Sequence, residues 1–362
     1  MSVVTRSKKR TLAGTDVKPD ESRKDTTGIL TDVTEEKVIM NRNKVKSKSV
    51  QDESKKVCEP VYGREPLKEA GKSDTMAQGE VCDPQHVVEY RREVQDYLGS
   101  LEKRPELRVT RDYLAGQSEV LPTMRALLVD WMVATALELA LLAETLQLSV
   151  QLLDRFLEAE LPAVTKDKLQ LIAATALLVA AKYEETYPPE ISELSHFAAG
   201  AAPRAEILKM ELRMLASLGF HLGAPLPLQF LRWGRLADPG LVGRETHCLA
   251  KYITELSLVD YTLVLVTAST RAAAALALAI RLLGTFSIQT VWKVKLQQST
   301  GCSLHELGRV LRQMARLLGV AATNKTLLTV YRKYSSVTLG KIARMTVLAG
   351  PLVAQLAKGQ DL

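Results

Sequence analysis

The sequence predicts an all-α fold of two tandem five-helix bundles, preceded by an N-terminal helix and a disordered N-terminal tail. Hydrophobic residues make up 46% of the 362 residues but aromatic residues only 5%, and alanine and leucine, which favour helices, are abundant. From residue 83 onward, apolar residues recur at helical spacing, whereas the preceding residues lack this periodicity. This change in pattern separates the tail from the folded part.

The predicted organisation has four parts. Residues 1–82 form a disordered regulatory region, residues 83–222 the N-terminal helix and first bundle, residues 223–345 the second bundle, and residues 346–362 a C-terminal tail. The first part contains a single aromatic residue, Tyr62, among many charged side chains. Burial of so little apolar area cannot offset the entropy lost on ordering, so disorder is predicted there.

The N-terminal helix is predicted from the spacing of apolar residues between Val87 and Leu98. In the first bundle, Thr165 is a predicted N-cap, Gly219 is a predicted helix end, and a proline suits the first turn of the fourth helix. The five helices are predicted over 124–142, 144–158, 165–184, the segment after Pro188-Pro189, and 203–218.

In the second bundle, Ser303 and Glu306 form a predicted capping box and Gly319 a predicted helix end. The third helix of each bundle is rich in alanine, which lets neighbouring helices approach closely, so both are predicted to be central helices. Two such helices at matching places also suggest an internal duplication. The helices are predicted over 227–237, 242–258, 261–283, 303–318 and 324–334, with a short extra helix over 289–297.

The overall charge is mildly basic, +7 with a pI of about 9.1, and it includes no dense block of lysine and arginine. This balance permits nuclear residence or acidic partners but does not indicate a nucleic-acid binder. Four widely spaced cysteines argue against a disulfide framework or a zinc site. With no signal peptide and no apolar run of the ~20 residues that a membrane span needs, we expect a soluble intracellular protein without nucleic-acid or membrane partners.

Catalytic motifs are missing from the sequence. It contains no Gly-x-x-x-x-Gly-Lys loop and no kinase catalytic-loop signature, and its five histidines are scattered without ligand spacing. We therefore predict that the protein is not an enzyme and has no catalytic residue, cofactor or metal site.

Several motifs resemble the cyclin family. The segment MRALLVDWMV at residues 124–133 resembles the opening of a cyclin box, and AKYEETYPPE at residues 181–190 and Met210-Glu211 follow at the family's spacing. Residues 252–258 and 331–335 of the second bundle are most similar to mitotic B-type cyclins, with their third subtype as a candidate. Together these motifs are specific, although any one alone would be weak.

The resemblance implies that both bundles are cyclin boxes and that the chain is a non-catalytic regulatory subunit. Such a subunit binds and activates a cyclin-dependent serine/threonine kinase of the mitotic type and controls mitotic (G2/M) or meiotic progression. Lys182 and Glu211 match the charged pair that binds the kinase, where donors and acceptors fix orientation. Arg125 and Asp154 match a structural ion pair whose disruption is costly.

One apolar stripe of the first box has two interpretations. The stripe, spaced i, i+3, i+4 and i+7, consists of Met124, Leu127, Leu128 and Trp131. Without the resemblance, a core role is the better interpretation. The resemblance implies a groove for Arg-x-Leu peptides of substrates or inhibitors, with Trp131 as the apolar anchor and Gln170 as a partner of the peptide backbone. The family often has an acid where this chain has Ala134, so weaker or altered docking is expected.

The N-terminal region carries two short motifs. Arg64 and Leu67 fit the minimal Arg-x-x-Leu pattern of a destruction box, so regulated degradation through a ubiquitin ligase is a hypothesis. Lys8-Lys9-Arg10 is either a nuclear import signal or a plain charged tail. We expect localisation in the nucleus, with the cytoplasm as a second compartment.

Two rival functions belong to other classes. The same double-bundle fold serves transcription factors that bind DNA, but these are expected to have a concentrated basic face and a metal-binding ribbon, and here basic and acidic residues are interspersed. A helical-repeat scaffold would show further repeats of ~30–45 residues, which the sequence lacks.

Overall fold

A computed structural model describes the chain from Tyr90 nearly to its end, over residues 90–161, 163–238, 240–284, 287–292, 296–297 and 300–360. Within these residues the chain forms thirteen α-helices and no β-strand. The region predicted to be disordered, residues 1–82, lies outside the described residues.

The N-terminal helix and the first bundle comprise α1 to α6. Helix α4 is central, because it packs against α2, α3, α5 and α6. All of its residues from 171 to 181 are buried, as its alanine-rich sequence predicts. The six helices are α1 (Arg91–Glu102), α2 (Pro122–Glu138), α3 (Ala143–Glu160), α4 (Leu169–Glu184), α5 (Ile191–Phe197) and α6 (Arg204–Ser217).

The second bundle repeats this plan around α9, which packs against α7, α8 and α11 and is buried throughout residues 272–280. The prediction of two tandem bundles with alanine-rich central helices is therefore confirmed. The helices are α7 (Pro227–Ala237), α8 (Arg244–Leu256), α9 (Ala268–Leu283), α10 (Ile288–Val291), α11 (Leu304–Ala321), α12 (Thr329–Tyr334) and α13 (Pro351–Lys358).

Several predicted helix boundaries are wrong. The helices predicted over 124–142, 261–283 and 324–334 are shorter, because α2 ends at Glu138, α9 begins at Ala268 and α12 begins at Thr329. Thr165 does not cap α4, because a 3-10 turn over Lys166–Lys168 lies between them and the threonine side chain makes no capping bond. Gly319 does not end α11, which continues to Ala321. Helix α13 packs along α11, with Val353 beside Gly319, and this packing supports the extra turn. The predicted capping box is present, since the Glu306 carboxylate accepts a bond from the Ser303 N–H.

The two bundles meet along α2. This helix packs against α12 and against the 3-10 turn Ser257–Val259, both of which belong to the second bundle. The first helix of the first bundle is therefore held by both halves of the fold.

Candidate functional site

The predicted kinase-binding residues form an ion pair on the surface of the first bundle. Lys182 lies in the last turn of α4 and Glu211 lies in α6, and the Lys182 Nζ is 2.5 Å from the Glu211 Oε1. The pair forms because α4 and α6 pack directly against each other. The Lys182 side chain is 45% exposed and the Glu211 side chain 12%. An ammonium has three N–H donors, so Lys182 can still donate to another molecule.

Exposed apolar side chains flank Glu211 in the sequence of α6. Leu208 and Leu212 lie three residues before and one residue after Glu211, and Leu212 is 72% exposed. The core face of α6 is formed instead by Ile207, Met210 and Met214. The predicted site did not include the two leucines, although their positions outside that buried stripe could have identified them.

The turn after α6 presents a further apolar side chain in an unusual backbone conformation. Gly219 and Phe220 both have left-handed backbone angles, with φ of 57° and 59°. Glycine adopts this conformation readily, but it strains a bulky residue such as phenylalanine. The Phe220 side chain is nonetheless 69% exposed, so its own burial does not offset the strain. Strain of this kind is concentrated at functional positions in proteins.

The acidic end of α4 fixes the position of Lys182 relative to the neighbouring helices. The Glu185 carboxylate accepts bonds from the Leu142 N–H at 2.8 Å and the Thr145 hydroxyl at 2.6 Å, at the start of α3. Burial, together with the nearby Glu144 and Glu185 carboxylates, raises the pKa of Glu184. These contacts anchor the segment that follows Lys182.

The two apolar stripes of α2 have different environments. The stripe of Val129, Met132, Val133 and Ala136 is fully buried and forms core. In the predicted docking stripe, Met124 and Trp131 are half-buried, Leu127 is 39% exposed and Leu128 is buried. Gln170 is half-buried in the first turn of α4, which packs against α2. Leu127, Met124 and Trp131 are therefore the accessible members of this stripe.

Arg125 and Asp154 form a buried bidentate ion pair. The Arg125 Nε and Nη2 nitrogens donate to the two Asp154 carboxylate oxygens, each at 2.7 Å. The Tyr113 hydroxyl donates to the same carboxylate at 2.7 Å, and burial together with the Asp154 charge raises the pKa of Tyr113. The remaining Arg125 nitrogen donates to the main-chain oxygen of Leu258 at 2.8 Å. The pair thus joins α2 and α3 to the second bundle.

Asp130, whose partner could not be assigned from sequence, also links the two bundles. Its carboxylate accepts bonds from the Thr329 N–H at 3.1 Å and the Thr329 hydroxyl at 2.6 Å, at the start of α12. Burial raises the pKa of Asp130, although the bonds from Thr329 oppose that shift.

Other predicted features can be placed only in part. Arg64, Leu67 and Lys8-Lys9-Arg10 lie outside the described residues. Among the residues that the structure describes, no three histidine, cysteine, aspartate or glutamate side chains are grouped so that they could hold a metal ion. None of the described helices combines the length and apolar character needed to cross a membrane.

Comparison with known proteins identifies the family. The cyclin N-terminal domain matches residues 93–223, and the cyclin C-terminal domain matches residues 225–348. The chain belongs to the cyclin family. Each of the two cyclin boxes coincides with one alanine-rich central helix and its neighbours.

Named relatives of this cyclin are B-type proteins. G2/mitotic-specific cyclin-B of Spisula solidissima is 38% identical over 275 residues, which cover 76% of this chain and 61% of that protein. G2/mitotic-specific cyclin-B1 of Xenopus laevis is 39% identical over 279 residues, covering 76% and 67%. The match thus spans about two thirds or less of these relatives. The third B subtype stays a prediction.

A solved structure supports the fold of this cyclin. The crystal structure of a viral cyclin from herpesvirus saimiri superimposes with a TM-score of 0.53 at 22% identity, covering 62% of this chain and 97% of the viral protein. At this identity the likeness concerns the fold alone.

Proposed function

We propose that this cyclin is a non-catalytic regulatory subunit that binds and activates a mitotic cyclin-dependent kinase, and so controls G2/M or meiotic progression. The observation that carries the proposal is the Lys182–Glu211 pair, held at 2.5 Å on an accessible surface. Leu208, Leu212 and Phe220 add exposed apolar area on the same helix and the turn after it. Charged groups fix the orientation of a partner, while apolar side chains supply most of the binding energy.

Activation in this proposal is a shift of population. The catalytic Lys–Glu pair and the metal-binding Asp belong to the kinase, and the cyclin favours the conformer in which they are aligned. To move that equilibrium from 1:99 to 99:1, the cyclin must bind the active conformer about 10⁴-fold more tightly, a difference of about 5.5 kcal/mol. A rigid surface suits this task, because Lys182 and Glu211 lie on two helices that pack around a buried core.

Substrate docking through α2 is a second part of the proposal. Leu127 and the half-buried Met124 and Trp131 would contact the leucine of an Arg-x-Leu peptide, above the buried Leu128. Gln170, with a donor and an acceptor in its amide, would bond to the peptide backbone. The methyl group of Ala134 offers nothing to the peptide's cation, so docking would depend on apolar contact.

Degradation and localisation depend on the N-terminal region. We propose that Arg64 and Leu67 direct destruction by a ubiquitin ligase, and that Lys8-Lys9-Arg10 supports residence in the nucleus, with a cytoplasmic pool. Unchanged mitotic turnover of an Arg64→Ala/Leu67→Ala variant would contradict the degradation proposal.

The test of kinase activation is histone phosphorylation by a purified mitotic cyclin-dependent kinase with the full chain added. We expect strong activation by the unmodified chain and a large loss with Glu211→Ala. Glu206→Ala is the matched control, because Glu206 lies in α6 and pairs with Lys209 at 2.9 Å on another face of the helix. Equal activation by the two variants, with native helicity, would overturn the predicted interface.

A further inference from the structure

Helix α11 displays a row of basic side chains along its outer face. The row, which we term the cationic stripe, consists of His305, Arg309, Arg312 and Arg316, all exposed. Their spacing of i, i+4, i+7 and i+11 places them on one side of the helix. With a rise of 1.5 Å per residue, the stripe is about 16 Å long.

The arginines of the stripe are not neutralised by ion pairs within the part of the chain that the structure describes. Among the described residues, no carboxylate forms an ion pair with Arg309, Arg312 or Arg316. The surface residues Arg213 and Arg232, in contrast, each pair with a glutamate.

The nearest polar groups of α11 have other partners. Arg316 donates to the Gln313 amide oxygen at 3.2 Å, and the Gln313 amide in turn donates to Asp260. Glu306, the one acid in α11, is engaged at the N-terminus by Ser303. The charge of the stripe is therefore available to another molecule.

The stripe is held rigidly by the rest of the box. The opposite face of α11 buries Leu307, Leu311, Met314 and Leu318 in the core. On one side, Arg312 lies against the end of α13, where a Cβ at Gly359 would be 2.9 Å from the Arg312 Cδ. Lys358, which precedes this glycine, is exposed.

We propose that the cationic stripe is a docking surface for an acidic peptide segment of a partner protein. Arginine binds carboxylates through two parallel hydrogen bonds, so a row of three arginines fits a row of aspartate or glutamate side chains. An extended peptide rises about 3.3 Å per residue, so about five residues span the stripe.

Two other anionic surfaces fit the stripe less well. A membrane-bound helix inserts its apolar face into lipid, but the apolar face of α11 is already buried in the box. A nucleic acid would contact the stripe only through its phosphates, whereas the exposed apolar Val320 lies one turn after Arg316, beyond the end of the stripe. A peptide, unlike a nucleic acid backbone, can bring an apolar side chain into contact with Val320.

The test measures fluorescence anisotropy of a labelled heptapeptide with glutamate at alternate positions, titrated with the full chain. We expect Arg309→Gln/Arg316→Gln to weaken binding at least about tenfold. The control Lys103→Gln/Arg104→Gln removes the same charge from an exposed segment elsewhere and is expected to bind normally. Arg312 is left unchanged because it packs against α13.

Three outcomes would overturn the proposal: absence of peptide binding, equal losses in both double variants, or tighter and equally arginine-dependent binding of duplex DNA or anionic vesicles. Kinase activation measured in parallel should be unchanged in Arg309→Gln/Arg316→Gln, so a failure of this proposal is distinguishable from a failure of the proposed kinase interface.

Discussion

The Nη1 nitrogen of Arg125 donates a 2.8 Å hydrogen bond to the main-chain oxygen of Leu258, 133 positions later in the second box. The same guanidinium pairs with Asp154 through its other two nitrogens. One buried side chain therefore satisfies a carboxylate of its own box and a carbonyl of the other. This arginine is therefore one of the side chains that link the two boxes, together with Asp130.

Replacing Arg125 should destabilise the whole folded region. Arg125→Met leaves Asp154 buried without its cation, and we expect a loss of about 3–5 kcal/mol in the free energy of unfolding, measured in urea. Arg111→Met is the control, because the Arg111–Glu158 pair is largely exposed on the arginine side and should contribute no more than about 1 kcal/mol. Similar losses for the two variants would show that the buried cluster has no special role.

His247 should make the stability of this cyclin dependent on pH. Burial, reinforced by Lys251, Arg235 and Arg232, lowers the pKa of His247 from 6.5 to about 4. A histidine whose pKa is lower in the folded state binds more protons when unfolded. The contribution of the neutral His247 to the free energy of unfolding is therefore full above about pH 6.5, and it is lost as the pH falls toward 4.

The corresponding variant is His247→Gln, which cannot take up a proton. We expect the unmodified chain to lose about 3 kcal/mol more than this variant between pH 7 and pH 4, in urea titrations at each pH. Parallel pH profiles for the two proteins would exclude His247 as the titrating group.

Exchanging the charges of Lys182 and Glu211 should separate their effect on the stability of the cyclin from their effect on kinase binding. Lys182→Glu/Glu211→Lys can re-form the ion pair within the cyclin, so the free energy of unfolding should change by less than about 1 kcal/mol. The polarity presented to the kinase is reversed, and affinity measured by calorimetry should fall by about a hundredfold. The same exchange at Glu206 and Lys209 should leave the affinity unchanged. Recovery of full affinity by the first exchange would show that the pair is only structural.

Adding an acid at position 134 should strengthen docking of cationic peptides. Ala134 lies in α2, three residues after Trp131, whose half-buried side chain packs against the core. For Ala134→Glu we expect about threefold to tenfold tighter binding of an Arg-x-Leu peptide, measured by anisotropy, with the gain reduced at high salt. Ala159→Glu adds the same charge at an exposed site of α3 and serves as the control. An equal gain in peptide affinity for both variants would indicate only a general electrostatic attraction, with no specific role for position 134.

The parts of the fold that local sequence determines were predictable. The alanine-rich segments of α4 and α9 are central helices, because only small residues permit contact with several neighbours. The sequence rules for helix ends gave the wrong boundary at Thr165, where a 3-10 turn precedes α4. They also gave the wrong boundary at Gly319, where packing of α13 against α11 supports continuation of α11. These outcomes depend on packing partners that lie elsewhere in the chain.

The candidate site was predictable to a similar extent. Lys182 and Glu211 were identified from family motifs, and the position of Leu212 outside the buried stripe of α6 could have identified it too. Phe220 could not be identified, since apolar side chains are ordinarily assigned to a core. The bond between Asp130 and Thr329 joins residues 199 positions apart, and no periodicity carries information over that distance. Such contacts are visible only in three dimensions.

The bonds from Arg125 to Leu258 and from Thr329 to Asp130 also bear on gene truncation. A premature stop codon shortly after residue 223 would leave the cyclin N-terminal domain intact in sequence but would remove both of these partners. The buried guanidinium and carboxylate would then face solvent along one side of α2. The encoded fragment should therefore be prone to aggregation and proteolysis rather than act as a minimal kinase activator.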